Sequence, residues 1–91
     1  MDYEFEFDPD KSEANKVKHG IDFVEAQALW HSAKIVTVAT SFEAEERWMG
    51  VALYRDRYWT AIYTLRDGVI RLISVRRSRD YEIERHKENY S

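Results

Sequence analysis

The chain has 91 residues and a formal net charge of −3 at pH 7, which leaves room for one domain around one hydrophobic core, and its 3 Trp, 6 Tyr and 4 Phe can fill that core without staples. The lack of cysteine excludes disulfides and thiolate metal sites, and histidines at positions 19, 31 and 86 lack the short spacing of metal ligands, so neither metal nor cofactor is expected. No stretch approaches the roughly 20 apolar residues of a membrane span, and Met1-Asp2-Tyr3-Glu4-Phe5-Glu6 has neither the basic flank nor the apolar run of a signal peptide, so a soluble, cytoplasmic protein with no membrane contact is the expectation.

Tyr3, Phe5 and Phe7 alternate with Glu4 and Glu6, the period of a half-buried strand. Asp8-Pro9 ends that strand and opens a helix, with Asp8 as cap and Pro9 where its missing N–H does no harm. The helix is predicted over residues 10–19, turning Ala14, Val17 and the stems of Lys11 and Lys18 to the sheet, and Gly20 stops it as a left-handed C-cap. Asp22 with Glu25 three residues on forms a capping-box pattern, and Phe23, Ala26, Gln27 and Trp30 mark a second helix to about His31, itself read as structural. The β-branched run 34–40 is predicted to be extended. The acidic run 41–46 reads as a turn or mobile loop between the halves.

From Arg47 onward the pattern is a meander of strands over 47–54, 58–66 and 69–76, joined by Arg55-Asp56-Arg57 and by Asp67-Gly68, the second of which supplies the positive φ of a type I′ turn. A last helix, capped near Ser78 and running to about residue 89, puts Glu82 and His86 one turn apart on the same side. The order β-α-α-β-β-β-α describes an α+β domain with helices packed on one face of an antiparallel sheet.

The strand 69–77 is apolar at its centre yet carries Arg71, Ser74, Arg76 and Arg77. Strict alternation assigns Arg71, Ile73 and Val75 to one face and Ile70, Leu72, Ser74 and Arg76 to the other. Burying a guanidinium unpaired costs several kcal/mol, so either a carboxylate or a bound anion must answer each arginine. Charge is also unevenly spread: residues 1–46 hold 4 Lys/Arg against 11 Asp/Glu, and residues 47–91 hold 10 against 6. An arginine-rich second half suits phosphate contacts and base stacking; the alternative is that its arginines pair with the acidic first half.

The segment from Phe5 to Ala26 contains Phe5-Glu6-Phe7-Asp8, Lys11 followed by Asn15, Lys18-His19-Gly20 and Phe23-Val24-Glu25-Ala26, which resembles the F-x-(W/F)-D, K-x-x-x-N, K-H-G and F-x-E-A opening of the BrnT family of type II toxins. A second block, Arg71-Leu72-Ile73-Ser74-Val75-Arg76, resembles that family's R-I-I-S-A-R strand, and Glu82 falls on the glutamate that follows. The chain departs from the pattern at His86, where the family has tyrosine, and at Ser78, where it has alanine. The resemblance implies a RelE-like fold, RNA cleavage that inhibits translation, and neutralisation by BrnA, an antitoxin with a ribbon-helix-helix domain that brings the pair to operator DNA.

RNA cleavage without a metal needs a base for the 2′-OH proton, cations for the phosphate and an acid for the leaving 5′-oxygen. Arg71, Arg76, Lys18 and Arg77 are candidates for holding charge, and His19, His86 and Glu82 for moving protons. Each has a bland counterpart: His19 can satisfy helix-end carbonyls, and Glu82 can pair with Arg76 or Arg79. Lys18 and His19 project about 100° apart, so only one of them is expected to face a given site. Ser74, Arg77, Arg79 and Arg47 complete the expected RNA contacts, and Trp48, Tyr54, Tyr58, Trp59 and Tyr63 divide between core and base stacking. The rival reading is a non-catalytic interaction module that works with its antitoxin in a DNA-binding repressor complex.

Overall fold

The computed structural model describes residues 3–31, 35–40 and 46–90. Strand β1 (Phe5–Glu6) leads into helix α1 (Pro9–His19), a 3₁₀ helix (Glu25–His31), strands β2 (Val36–Thr40), β3 (Arg47–Tyr54), β4 (Arg57–Arg66) and β5 (Val69–Arg77), and helix α2 (Asp80–Tyr90). The fold is α+β. The strands lie in the order β1-β5-β4-β3-β2, with β1 parallel to β5 and the other pairs antiparallel. The sheet is therefore mixed, not antiparallel throughout, because β1 lies beside β5, which runs in the same direction and is reached only after α1, the 3₁₀ helix and strands β2 to β4. Run 36–40 is a full strand that adds one member to the expected order, and residue 34 of the expected extended run and residues 41–45 of the expected loop lie outside the described residues. Among the described residues, no helix is long and apolar enough to cross a membrane.

Both hairpins close on two-residue turns. Asp67 and Gly68 take φ of 52° and 82°, and Arg55 and Asp56 take 51° and 64°. Two consecutive positive φ values are the type I′ geometry that matches strand twist. At Arg55-Asp56 this conformation is imposed on two residues with side chains, which costs roughly 1–2 kcal/mol each.

One irregularity decides which residues share a face. Ile62 pairs with Ser74 while Tyr63 pairs with Leu72, so Ile73 is an extra residue in β5. Such a bulge shifts the alternation by one from that point on. Ile70, Leu72, Val75 and Arg77 consequently share the face that carries Trp59, Ala61 and Tyr63, whereas Arg71, Ser74 and Arg76 share the face of Thr64, Ile62 and Thr60. The division expected from strict alternation is wrong for this reason.

The first of these faces bears the core, where Ile70, Leu72 and Val75 meet Ile21, Phe23, Ala26, Leu29 and Trp30. Rings meet edge-on through it, with Phe7–Phe23 at 5.7 Å, Phe5–Trp30 at 5.3 Å and Trp30–Tyr63 at 5.2 Å between centroids. Edge-to-face pairing at these distances adds about 0.5–1.5 kcal/mol each beyond area burial. Room for the rings comes from Gly50, Ala52 and Ala61; a Cβ at Gly50 would meet Ile35 Cδ1 at 3.0 Å.

Helix α1 is capped as expected, Asp8 Oδ1 accepting from Asp10 N at 2.8 Å and Gly20 following at φ 82°. The side it buries is the polar one. Ser12 and Asn15 are buried, while Ala14 and Val17 face solvent, Val17 at 86 % exposure. Asn15 Nδ2 donates to Val75 O and Ile21 O at 2.8 Å, and Asn15 Oδ1 accepts from Val75 N at 3.2 Å. Its carboxamide thus pairs with β5 as a neighbouring strand would, beyond the end of the short β1. Ser12 Oγ accepts from Phe23 N at 2.9 Å. The predicted second helix is 3₁₀, not α, although its capping box forms as read: Asp22 Oδ1 accepts from Val24 N and Glu25 N, and Glu25 Oε1 from Asp22 N.

Helix α2 reaches over the sheet face opposite the core through Glu82, which bonds Thr60 and Arg76. Helices therefore stand on both faces of the sheet, contrary to the one-sided arrangement expected.

Candidate functional site

The face opposite the core brings Arg71, Ser74 and Arg76 into one row because of the bulge. Ser74 and Arg76 are two residues apart, about 6.6 Å along the strand. Arg71 is one-third exposed, and its Nη1 lies 3.8 Å from Glu6 Oε1, a loose pair open to water. Such pairs contribute about 0–1 kcal/mol. Arg76 is held differently. Its Nη1 and Nη2 donate to Glu82 Oε1 and Oε2 at 2.8 and 2.9 Å, an end-on fork, and Nη1 also reaches Arg77 O at 3.3 Å. A bidentate fork fixes the plane of the guanidinium as well as its position.

Glu82 is 3 % exposed. Burial alone would raise its carboxyl, but hydrogen bonds from Arg76, from the Arg79 backbone N–H at 2.8 Å and from Thr60 Oγ1 at 3.0 Å, with the Arg76 charge, hold it below the ordinary carboxylate range. The same bonding raises the Arg76 pKa. The contact to Arg79 N is half of a capping box, in which Arg79 takes the cap position and Glu82 the third helical position. Ser78, expected to cap, instead bonds Thr60 Oγ1 through its hydroxyl at 2.7 Å and Tyr58 O through its backbone N–H. Glu82 therefore caps α2, anchors it to the sheet and orients Arg76 at once.

His86 is one turn further along α2 and 5 % exposed, its ring edge-on to Tyr58 at 5.2 Å and 70°. Tyr58 belongs to the same sheet face as Thr60 and is half-buried. The structure thus joins Arg76 and Glu82, sets His86 one turn further along α2 against Tyr58, and aligns Arg71 and Ser74 with Arg76 on the same face. Lys18 and His19 are elsewhere: they end α1, beside the Gly20 turn that lines a cavity with the β3–β4 hairpin. Arg77 turns to the core face, its guanidinium 5.6 Å over the Trp59 ring. Arg79 immediately precedes α2 and is exposed, and Arg47 opens β3 opposite Thr40. Of the meander aromatics, Trp59 and Tyr63 are buried while Trp48, Tyr54 and Tyr58 are half-buried. Among the described residues, no group of three or more His, Asp or Glu side chains is arranged to hold a metal.

Three contributors escape a reading of the sequence. Thr60 looks like an ordinary strand residue and Tyr58 reads only as core or base stacking, and only the packing of α2 gives them Glu82 and His86 as partners. Asn15 does leave a trace, because asparagine is a poor helix former that competes for backbone bonds, and its place inside α1 points to a job for its amide.

No curated protein matches the chain. The sequence model of the family described as ribonuclease toxin, BrnT, of type II toxin-antitoxin system matches residues 7–82, a span that includes the amide anchor Asn15, the row of Arg71, Ser74 and Arg76, and the clamp Glu82. The chain belongs to the BrnT family, the ribonuclease toxins of type II toxin–antitoxin systems.

Proposed function

We propose that the sheet face bearing Arg71, Ser74 and Arg76 binds the backbone of an RNA strand and cleaves it without a metal, so that translation stops. The observation that carries this reading is the bulge at Ile73, which gathers two guanidiniums and a hydroxyl in one row, one guanidinium already fixed in plane by Glu82. In cleavage of this type the 2′-hydroxyl gives up its proton to solvent and attacks phosphorus, the P–O5′ bond breaks, and the leaving oxygen takes up a proton from solvent, leaving a 2′,3′-cyclic phosphate and a 5′-hydroxyl. Negative charge grows on the phosphoryl oxygens meanwhile, and preorganised arginines are worth most there. Arg71 and Arg76 supply the positive charge that offsets it, and Ser74 donates to a phosphate oxygen. Glu82 is a positioning residue, since its oxygens already accept four hydrogen bonds. His86 acts through Tyr58, the half-buried residue of this face that its ring meets edge-on. Arg79, Arg77, Arg47, Lys18 and His19 are further RNA contacts at the rim. A BrnA-like antitoxin with a ribbon-helix-helix domain silences the face by covering it and takes the pair to operator DNA.

Single-stranded RNA incubated with the purified protein, with and without EDTA, tests the reading. Cleavage that survives chelation, yields 2′,3′-cyclic ends and falls in Arg71→Ala is the expected result. The engaged Glu82 and the buried His86 leave few groups on this face for proton transfer, and that favours a second reading, a non-catalytic module of a repressor complex. RNA binding without cleavage would support it.

A further inference from the structure

A second cluster of cations lies across the end of the sheet from Arg76. Thr60 pairs with Arg76 and Trp59 with Arg77, so the two consecutive arginines project to opposite faces at the C-terminal end of β5. On the core face this end opens into a cavity of about 170 Å³ lined by Gly20, Glu25, Tyr54, Arg55, Arg57 and Trp59. Its size is well below that of drug-sized pockets and suits one small planar group. The aromatic walls each carry a guanidinium, Arg55 at 5.1 Å from the Tyr54 ring centroid and Arg77 at 5.6 Å from that of Trp59.

Charge here is held against its own repulsion. Lys16 is close enough to Arg55 for the two to repel, and Lys16 already takes Glu25 as its partner. Among the described residues Arg55, Arg57 and Arg77 have no carboxylate within ion-pair distance. The tight turn that presents Arg55 is built on two non-glycine residues at positive φ, a local cost of the kind found at functional sites.

We infer that this cavity is a subsite for one unpaired nucleotide of the RNA, its base entering between Tyr54 and the Trp59–Arg77 stack and its phosphate resting on Arg55 and Arg57. The RNA strand crosses the end of the sheet from Arg76 to Arg77, so one face breaks the backbone and the other grips it. The inference rests on the RNA-cleaving reading above and adds a second contact region to it. Single-stranded RNA is the fitting ligand because only unstacked bases can enter such a cavity and stack on aromatic and guanidinium planes.

The test uses the full chain and a fluorescently labelled RNA oligonucleotide of mixed sequence, 2′-O-methylated throughout so that it binds without being cut. Arg55→Asn with Arg57→Gln removes both charges, and asparagine tolerates the positive φ at position 55. Both side chains are exposed, so the double variant should melt with the parent. The double variant should bind at least about tenfold more weakly, and the slope of log K against log salt should fall by about 1.4, the value for two lost contacts on a single strand. Tyr54→Ala should weaken binding about tenfold as well, the loss of one stacked base. Equal affinity and an equal salt slope in a folded double variant would overturn the subsite while leaving cleavage by the other face intact. A parent protein that neither binds nor cuts RNA would sink both readings together.

Discussion

Arg71 and Arg76 stand on the same face but differ in what their loss does to the fold. Among the described residues Arg71 has a single ion-pair contact, long and exposed, to Glu6, so Arg71→Ala should lower the cleavage rate by about 10²-fold, the usual loss for one electrostatic stabiliser, with an unchanged melting temperature. Arg76 cannot be tested so simply, because its removal strands the buried Glu82 carboxylate. Arg76→Lys keeps the charge and breaks the fork; it should stay folded and lose about tenfold in rate. Glu82 links the site to stability. Its folded pKa lies below its ordinary value of 4.5, so ionisation favours the fold: the contribution is full above pH 4.5 and drains away as pH falls through the lower folded value. Glu82→Gln should therefore destabilise the protein at pH 7 by about 3 kcal/mol, the low end for a broken buried pair because Arg76 is one-fifth exposed. Denaturant titrations at pH 7 and pH 3 check this, and the gap between parent and variant should narrow at the lower pH. His86→Ala opens a void against Tyr58, and a cleavage pH profile that keeps its shape while the rate falls would identify His86 as a positioning residue.

At the scale of elements, α1 is fastened by an amide rather than by an apolar stripe. Asn15 satisfies Val75 N, Val75 O and Ile21 O together, and losing a partner leaves each buried group with a desolvation cost of about 1–3 kcal/mol. Asn15→Ala should lower stability by roughly 2–4 kcal/mol, more than Val17→Ala, which should change it by less than about 0.5 kcal/mol because Val17 lies in solvent. Chemical denaturation of the two variants side by side separates an amide anchor from an apolar one. The bulge in β5 works at the same scale. With Ile73 as the surplus residue, Arg76 leaves the core face and meets Glu82 on α2, and Arg77 takes the place over Trp59.

For the molecule as a whole, the uneven charge acquires a location. The basic second half supplies the β4–β5 arginines, while only two of the first half's carboxylates, Glu6 and Glu25, form ion pairs among the described residues. Of these two only Glu6 meets an arginine of the sheet face opposite the core, and by a loose contact, so Arg71 keeps room for an external anion or an acidic partner. A toxin of a type II pair must be covered to be silenced, and a stable cover should bury at least about 1,200 Å². Co-expression with its antitoxin should give a complex that persists through gel filtration at micromolar concentration and no longer cleaves RNA; separate elution of the two would count against the covered-face reading.

Local chemistry was enough to set the caps at Asp8 and Asp22, the stop at Gly20, the Asp67-Gly68 hairpin and the existence of three meander strands, since each depends on neighbours within a few residues. The two blocks of family motif were equally legible, because they consist of residue types at fixed spacing. What the tertiary structure decided depends on long-range pairing. Only the partner strand shows that Ile73 is an extra residue, and with it which arginines share a face. Only the return of β1 alongside β5 makes the sheet mixed and leaves an open stretch of strand for Asn15 to pair with. Only the docking of α2 turns Glu82 from a solvated carboxylate into a buried clamp and buries His86 against Tyr58. Alternation and propensity are properties of a segment, whereas a face, an edge and a buried charge exist only once two segments meet.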